Sequence, residues 1–428
     1  MESNSSLINW YKTLHDPNLN ILVARTLKRN LDLKIAKKTI EELKYEFLKT
    51  KTHSYPTIDL QGQVTRQRQS YKTKTPTGKE ITIVNITNSF NTSIVASYEL
   101  DLWKKIYFEK QASRLEFLKS KEDANILVLS IISTCIENYF ELMTLNRKLD
   151  LYDKKIKLLN KLNKIYSTRY KIGLTDFFTY QYYKNLLLET KVIFENLIKQ
   201  KKYIEQKINN LVGDYPYTGN IKVSDITIDI KSLSIPKTLP SDLLKRRPDI
   251  KKAILNLKQK LSNLGYARAI RFPSINLSGN IGYISDELNT LIKPESRIWA
   301  ISSSLLFPLF NMGKLKYNEK QKEQSFYKSI LEYQKTVLNA FFEVESTLIE
   351  RRELENIYSI YKDELNNRTK EYMFQKKRQQ NGIVEVSTLL EKELNLIDIQ
   401  IKINDTRLSI LKNQILLFKV LGGTYHKE

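Results

Sequence analysis

The chain has 428 residues, 41% of them apolar, and carries 70 Lys and Arg against 47 Asp and Glu, a net charge of +23. Only 12 Gly and 10 Pro leave little material for loops, which excludes an assembly of many short elements and requires long ones. Three His, a single Cys and no phosphate-cradling glycine loop leave no inventory for an enzyme, a metal centre or a bound cofactor, so none is expected.

The amino terminus, MESNSSLINW, has neither the basic start and apolar core of a signal peptide nor a nearby Cys for lipid attachment. Taken alone it points to the cytoplasm; in a truncated or mature chain it carries no information. A short helical segment follows over residues 17–50. Then Ile58, Leu60 and Val64 alternate with Thr57, Asp59, Gln61 and Gln63, and Val84, Ile86, Phe90, Ile94, Ala96 and Tyr98 alternate with Asn85, Thr87, Ser89, Asn91 and Ser93. Period two predicts strands with one apolar and one polar face.

Residues 105–171 contain no Gly or Pro and predict one helix roughly 100 Å long at 1.5 Å per residue. Within it Leu149, Tyr152, Ile156, Leu159, Tyr166 and Tyr170 recur at spacings of three and four, with Asn163 a polar interruption, which predicts lateral packing against other helices. Cys135 lies in the apolar run ILVLSIISTCIENYF and reads as a small core residue. No uninterrupted stretch of 18 apolar residues exists, so no transmembrane helix is expected. Gly173 ends the long helix, and an antiparallel return helix covers residues 175–212.

The same order then repeats: a short helix over 248–270, strands carrying Ile275, Leu277, Ile281 and Tyr283 and then Trp299, Ile301, Leu305 and Phe307, a long helix over 314–381, a turn at Gly382 and a return helix over 384–421. At an offset of 217, Asp32, Lys34, Ala36, Pro56, Ile58, Leu60 and Gly62 fall on Asp249, Lys251, Ala253, Pro273, Ile275, Leu277 and Gly279. At an offset of 209, Lys105, Arg169, Gly173, Thr179 and Gly213 fall on Lys314, Arg378, Gly382, Thr388 and Gly422. The chain is therefore a duplication too long to be a solenoid repeat. It divides into 1–54, a first β-hairpin 55–104, a first helical hairpin 105–213, a connection 214–247, a short helix 248–271, a second β-hairpin 272–313, a second helical hairpin 314–422 and a tail 423–428.

Four strands cannot close a barrel with a lumen, and open edges are not tolerated in lipid, so strands from several copies must join; three copies would supply twelve. The stretches SDLLKRRPDIKKAILNLKQKLSNLGYARAIRFPSINLSGNIG, LFPLFNMGKLK, ASYELDLWKK and KVLGG closely resemble the motifs of TolC-like outer membrane efflux proteins of the multidrug-pump type. The resemblance covers nearly the whole chain. It implies a mainly helical fold with transmembrane β-structure: a homotrimer with a twelve-stranded barrel in the outer membrane of a Gram-negative bacterium, continued by a twelve-helix α-barrel through the periplasm. It implies a passive exit duct for small molecules, joined to a periplasmic adaptor and an inner-membrane pump, with an equatorial belt from residues 214–240. Lys104 stands where such proteins usually have Gly, which places the first strand exit in question, and the lipid-bearing Cys usual for this type is not in the sequence.

By the same resemblance the turns RYKIGLTDFF and RQQNGIVEVS, with Arg169, Gly173, Arg378 and Gly382, form the periplasmic tips that meet the adaptor. Arg169 and Arg378 are placed to pair with Asp176 and Glu385 across hairpins and hold the tip closed. Glu391 falls where an Asp commonly lines the constriction; a solvated Glu beside Lys392 and Glu393 is the alternative. The high positive charge leaves open a second class, a basic coiled-coil scaffold binding nucleic acid or partner helices, for which the alternating strands have no use. Most of the Lys and Arg alternate with Glu and Asp along helices, as a solvated surface does.

Overall fold

The structure, a computed structural model, describes residues 10–216, 221–224 and 246–423. Most of the 214–247 connection, the first nine residues and the tail after residue 423 lie outside them. A 3₁₀ turn at Trp10–Leu14 leads into α1 (Pro17–Arg29) and α2 (Leu31–Thr52), then β1 (Thr57–Lys74), β2 (Glu80–Leu100), α3 (Lys105–Lys171) and α4 (Phe177–Val212). The second repeat supplies α5 (Pro248–Ala269), β3 (Ser274–Ser285), β4 (Arg297–Leu306), α6 (Lys314–Gln380) and α7 (Val386–Val420). Both long helices contain 67 residues, as expected from their lack of Gly and Pro. The chain forms two compact units, Met1–Thr39 with Ser120–Lys252 and Gln334–Glu428, and Ile40–Lys119 with Ala253–Tyr333.

In the first unit α3 is the central helix. Ile132, Cys135, Ile136, Tyr139 and Leu142 are fully buried among Leu197, Ile204 and Ile208 of α4, Leu411 and Ile415 of α7, and Trp10 and Leu19 from the amino-terminal segment. Further along, Leu151, Leu158, Leu159 and Leu162 pack on Leu187 of α4 and on Leu390, Leu394, Ile397 and Ile401 of α7. Of the predicted three-and-four stripe, Leu159 is buried in this seam and Tyr152, Ile156 and Tyr166 pack against it, whereas Leu149 packs on the first cluster and Tyr170 is exposed. Asn163 keeps a buried side-chain oxygen without a hydrogen-bond partner among the described residues. α6 joins the layer through Val344 against Leu417, Val420 and Leu421. α3 contains an 18-residue window apolar enough by composition to cross a bilayer, yet more than half of that window is buried as core.

The predicted 17–50 segment is two helices, because Asn30 stops one and starts the next. Its amide donates to the Thr26 carbonyl at 2.9 Å, and its side-chain oxygen accepts from the Leu33 amide at 3.0 Å. Its side-chain nitrogen donates to the Leu211 carbonyl at 2.7 Å, satisfying the end of α4. At the other end of α1, Asp16 caps the helix through the amides of Asn18 and Leu19, with Pro17 at the first helical position.

In the second unit the four strands form one antiparallel sheet in the order β1-β2-β3-β4. The registers align Leu60 with Ile94, Ile281 and Trp299, and Ile58 with Ala96, Gly279 and Ile301. The apolar sets of all four strands therefore share one face, where Leu60, Trp299 and Ile301 are 74–82% exposed. β1 and β2 are longer than the 9 to 11 residues a bilayer crossing needs, at 18 and 21 residues. Phe307 lies just past the end of β4.

The exit from β2 accommodates Lys104. Its φ of 61° matches the 79° of Gly313, the equivalent position of the second repeat. A side chain in this region costs about 1–2 kcal/mol. The local frame offsets that cost: Asp101 caps α3 by accepting from the amides of Ile106 and Tyr107 at 2.9 and 2.8 Å, Lys105 pairs with Glu99 at 2.8 Å, and the Trp103 indole donates to the Pro273 carbonyl at 2.8 Å.

Candidate functional site

The two hairpin turns are built alike. Gly173 and Gly382 have φ of 73° and 74°, and after each the next amide reaches back to an arginine carbonyl, Leu174 to Arg169 at 2.8 Å and Ile383 to Arg378 at 2.9 Å. No atom crowds either glycine, so the positive φ is the reason for the residue. Ile172, Leu174 and Phe178 of the first turn and Ile383 of the second are exposed.

Of the paired charges expected at the tips, the chain brings one pair together. Arg169 donates to Glu385 at 2.8 Å, tying the first hairpin to the second. This guanidinium, and then the Ser387 hydroxyl at 3.0 Å, hold the Glu385 carboxyl below its usual range. Arg378 and Asp176 do not meet within the chain. Arg378 lies 5.7 Å from the centre of the Phe374 ring, and Asp176 caps α4, accepting from the Thr179 amide at 2.8 Å and hydroxyl at 2.6 Å, which lowers its carboxyl pKa.

Glu391 is not a freely solvated carboxylate. Tyr166 and Tyr183, whose rings stack 4.2 Å apart, donate hydroxyl hydrogen bonds to one of its oxygens at 2.9 and 2.5 Å. Burial, and then the hydrogen bond to Glu391, push the Tyr183 hydroxyl pKa up. Nearby Tyr170 stacks on Tyr180 at 5.5 Å, so the first hairpin closes with an aromatic zipper. The second has Gln375, Gln379, Leu389 and Lys392 at the equivalent places.

Above the tip, α3 and α7 carry charges in register that sequence reading missed. Glu141 pairs with Lys412 at 2.8 Å, Lys148 with Asp405 at 2.8 Å and Lys155 with Asp398 at 2.6 Å. Each step is seven residues up one helix and seven down the other, the mark of an antiparallel heptad seam. The signal was present in the spacing; the missing knowledge was which helix faces which. At the opposite end of this layer Asp16, fully buried, accepts from the Tyr139 and Ser224 hydroxyls at 2.7 Å each, and the Ser224 amide donates to the Tyr139 oxygen at 2.9 Å. Residues 221–224 are thereby pinned to α1 and α3, and burial lifts the Tyr139 hydroxyl to about 12.

The Arg-Arg-Pro-Asp motif serves as a clamp. Arg247 donates to Asp249 and Glu343 at 2.7 Å each and to the Val420 carbonyl at 3.0 Å. Its partners, Asp249 and Glu343, raise its pKa against the opposing effect of burial.

An exposed apolar sheet face with two open edges, on a duplicated chain of long helical hairpins, is the fold of the outer membrane channel proteins. The sequence profile of the Outer membrane efflux protein family matches residues 22–213 and 239–423, and the chain belongs to that family. It is 25% identical over 427 residues to the probable efflux pump outer membrane protein TtgC of Pseudomonas putida, covering 98% of this chain and 86% of that one. It is 26% identical over 420 residues to the probable outer membrane lipoprotein SilC of Salmonella typhimurium, covering 97% and 87%. Among solved structures, the CmeC outer membrane channel of Campylobacter jejuni superposes with a TM-score of 0.87 at 25% identity, covering 99% of this chain and 89% of that one.

Proposed function

We propose that the protein is the outer membrane exit duct of a tripartite efflux system, in which three copies pool their strands into a twelve-stranded barrel and their helices into a twelve-helix barrel. The observation that carries this reading is the sheet: an apolar face with no cover and two unpaired edges, β1 and β4. Its apolar rows run from Leu100, Ile275 and Leu305 to Val64 and Phe90. Those eleven residues of β2, ten steps from Phe90 to Leu100, span about 34 Å along the strand and about 26 Å of height at a tilt of about 40°, which suits the apolar band of an outer-membrane barrel. Joining β4 of one copy to β1 of the next removes every edge.

The divisions 55–104 and 272–313 then serve as barrel segments, 105–213 and 314–422 as tunnel hairpins, and 1–54, 214–247, 248–271 and 423–428 as the surrounding parts. The tips at Gly173 and Gly382, with Ile172, Leu174, Phe178 and Ile383 exposed, take a periplasmic adaptor, and an inner-membrane pump supplies small-molecule cargo and energy. Arg169 and Glu385 hold the hairpins of one copy together; Arg378 and Asp176, equivalent by the repeat, link one copy to the next. Three Glu391 carboxylates stand at the tip. Conduction is passive, and the sheet and the family favour this duct over a nucleic-acid scaffold.

The test is the mass of the purified chain and its behaviour in planar bilayers. A detergent-requiring trimer that conducts ions is expected; a monomer soluble without detergent overturns the reading.

A further inference from the structure

β1 and β2 outrun the rest of the sheet. Their register is unbroken from Thr57–Ser97 to Lys74–Glu80, while β2 pairs with β3 only as far as Phe90–Ser285. The nine pairs from Arg66–Asn88 to Lys74–Glu80 therefore form a two-stranded ribbon extending beyond Val64–Phe90, the last row that is apolar on both strands. By the pleat, Arg66, Arg68, Lys72 and Lys74 lie on the same face as Ile58, Leu60 and Val64. The face that is apolar up to Val64 becomes cationic one row later, and Lys79 in the turn adds a fifth charge. All are exposed, and among the described residues none makes an ion pair; Glu80, opposite Lys74, is the one carboxylate on the ribbon. Ile86 and Val84 stand across from Arg68 and Ser70, so aliphatic side chains flank the cations.

We propose that this ribbon face binds the phosphate groups of an anionic glycolipid in the outer leaflet. The inference rests on the sheet spanning the membrane, as argued above. In that setting Arg66 and Arg68, one and two rows past the apolar band, lie at headgroup depth, where lysine and arginine are attracted to anionic lipid, while Lys72 and Lys74 stand further out on the same face, about 21 and 26 Å above Val64 at the same tilt. Arginine grips phosphate by two parallel hydrogen bonds and lysine as a point charge. Arg66 with Arg68, and Lys72 with Lys74, make two cation pairs, and Arg68 and Lys72 are about 13 Å apart along the strand. Arg66 and Arg68 at that depth suit a lipid phosphate, and a headgroup with two phosphates is attracted by the cationic face more strongly than one with a single phosphate.

The test uses the full chain and the quadruple variant Arg66→Gln, Arg68→Gln, Lys72→Gln, Lys74→Gln in phosphatidylcholine nanodiscs doped with bisphosphorylated or monophosphorylated lipid A, with lipid retained per protein read by native mass spectrometry. The wild type is expected to hold the bisphosphorylated lipid in preference. The variant should insert and conduct normally but hold at least about tenfold less. Equal retention by the two chains overturns the proposal. So does displacement of the lipid by millimolar inorganic phosphate, which would mean a site for the free anion. If the variant trimer instead dissociates in uncharged detergent without lipid, the cations bridge copies, and the proposal also fails. A wild-type chain that does not enter nanodiscs at all removes the membrane reading itself, a failure distinct from the others. The milder pair Arg66→Gln, Arg68→Gln, expected to lower retention of both lipids, keeps the question answerable if the quadruple variant misfolds.

Discussion

Asn30 and Arg247 occupy the same place in the two repeats and perform the same task, each donating to the carbonyl at the end of the neighbouring return helix, Leu211 at 2.7 Å and Val420 at 3.0 Å. Gly213 and Gly422, with φ of 84° and 76°, let the chain turn against the same two residues. The repeat thus conserves a physical function while exchanging an amide for a guanidinium.

The exchange has a measurable consequence. Arg247→Met strands a buried carbonyl and removes the partner of Asp249 and Glu343, whose side chains are 34% and 48% accessible to water, and is expected to cost about 2–3 kcal/mol. Asn30→Ala removes a helix cap and one carbonyl partner, at about 1–2 kcal/mol. Thermal unfolding of the two variants should rank them in that order.

The charge ladder is partly exposed, with Asp398 and Asp405 side chains 43% and 47% accessible. Each pair is therefore worth roughly 0.2–1 kcal/mol. Asp398→Lys should destabilise by more than that because it opposes Lys155, and adding Lys155→Asp should recover most of the loss. A double-mutant cycle in denaturant checks it; additivity would show that the two groups do not interact.

At the tip, Asp176 and Glu385 both have lowered carboxyl pKa values. A carboxylate more acidic in the folded than in the unfolded chain stabilises the fold above its unfolded pKa and ceases to do so as the pH falls through the folded value. The links should thus hold through the ordinary carboxylate range and weaken only below it. Single-channel conductance should rise over that lower range. Arg169→Gln should move the onset toward the ordinary glutamate range, and Arg378→Glu should raise conductance at neutral pH by repelling Asp176 of the next copy.

Glu391 combines a charge with a structural bond. Glu391→Gln should weaken cation preference, seen as a shift in reversal potential. Tyr183→Phe should leave the charge in place and loosen the contact between hairpins, raising conductance without the same loss of selectivity.

Cys135 is fully buried, with its thiol lifted to about 11 by burial against a smaller opposing effect of Thr26. The neutral thiol stabilises the fold below the unfolded pKa of about 9, and that contribution fades as the pH rises through 11. Maleimide at pH 8 should therefore label the denatured chain at once and the folded chain only through unfolding.

The amino-acid sequence by itself determined the duplication, the two 67-residue helices, the glycine turns and the four strands with their apolar faces. Each follows from local rules: absence of Gly and Pro, periods of 3.6 and 2, and residues that tolerate positive φ. Arg169 with Glu385 was legible because the repeat sets an arginine four residues before each turn glycine and a carboxylate three residues after it. Only the tertiary structure decided that Asn30 breaks the first short helix, that Lys104 adopts the backbone of the glycine it replaces, that the tyrosine pair holds Glu391, and that α3 and α7 face each other to make the charge ladder. Those facts depend on partners more than a hundred residues away in sequence or on the strain a folded frame can absorb, and no local pattern encodes which helix face meets which.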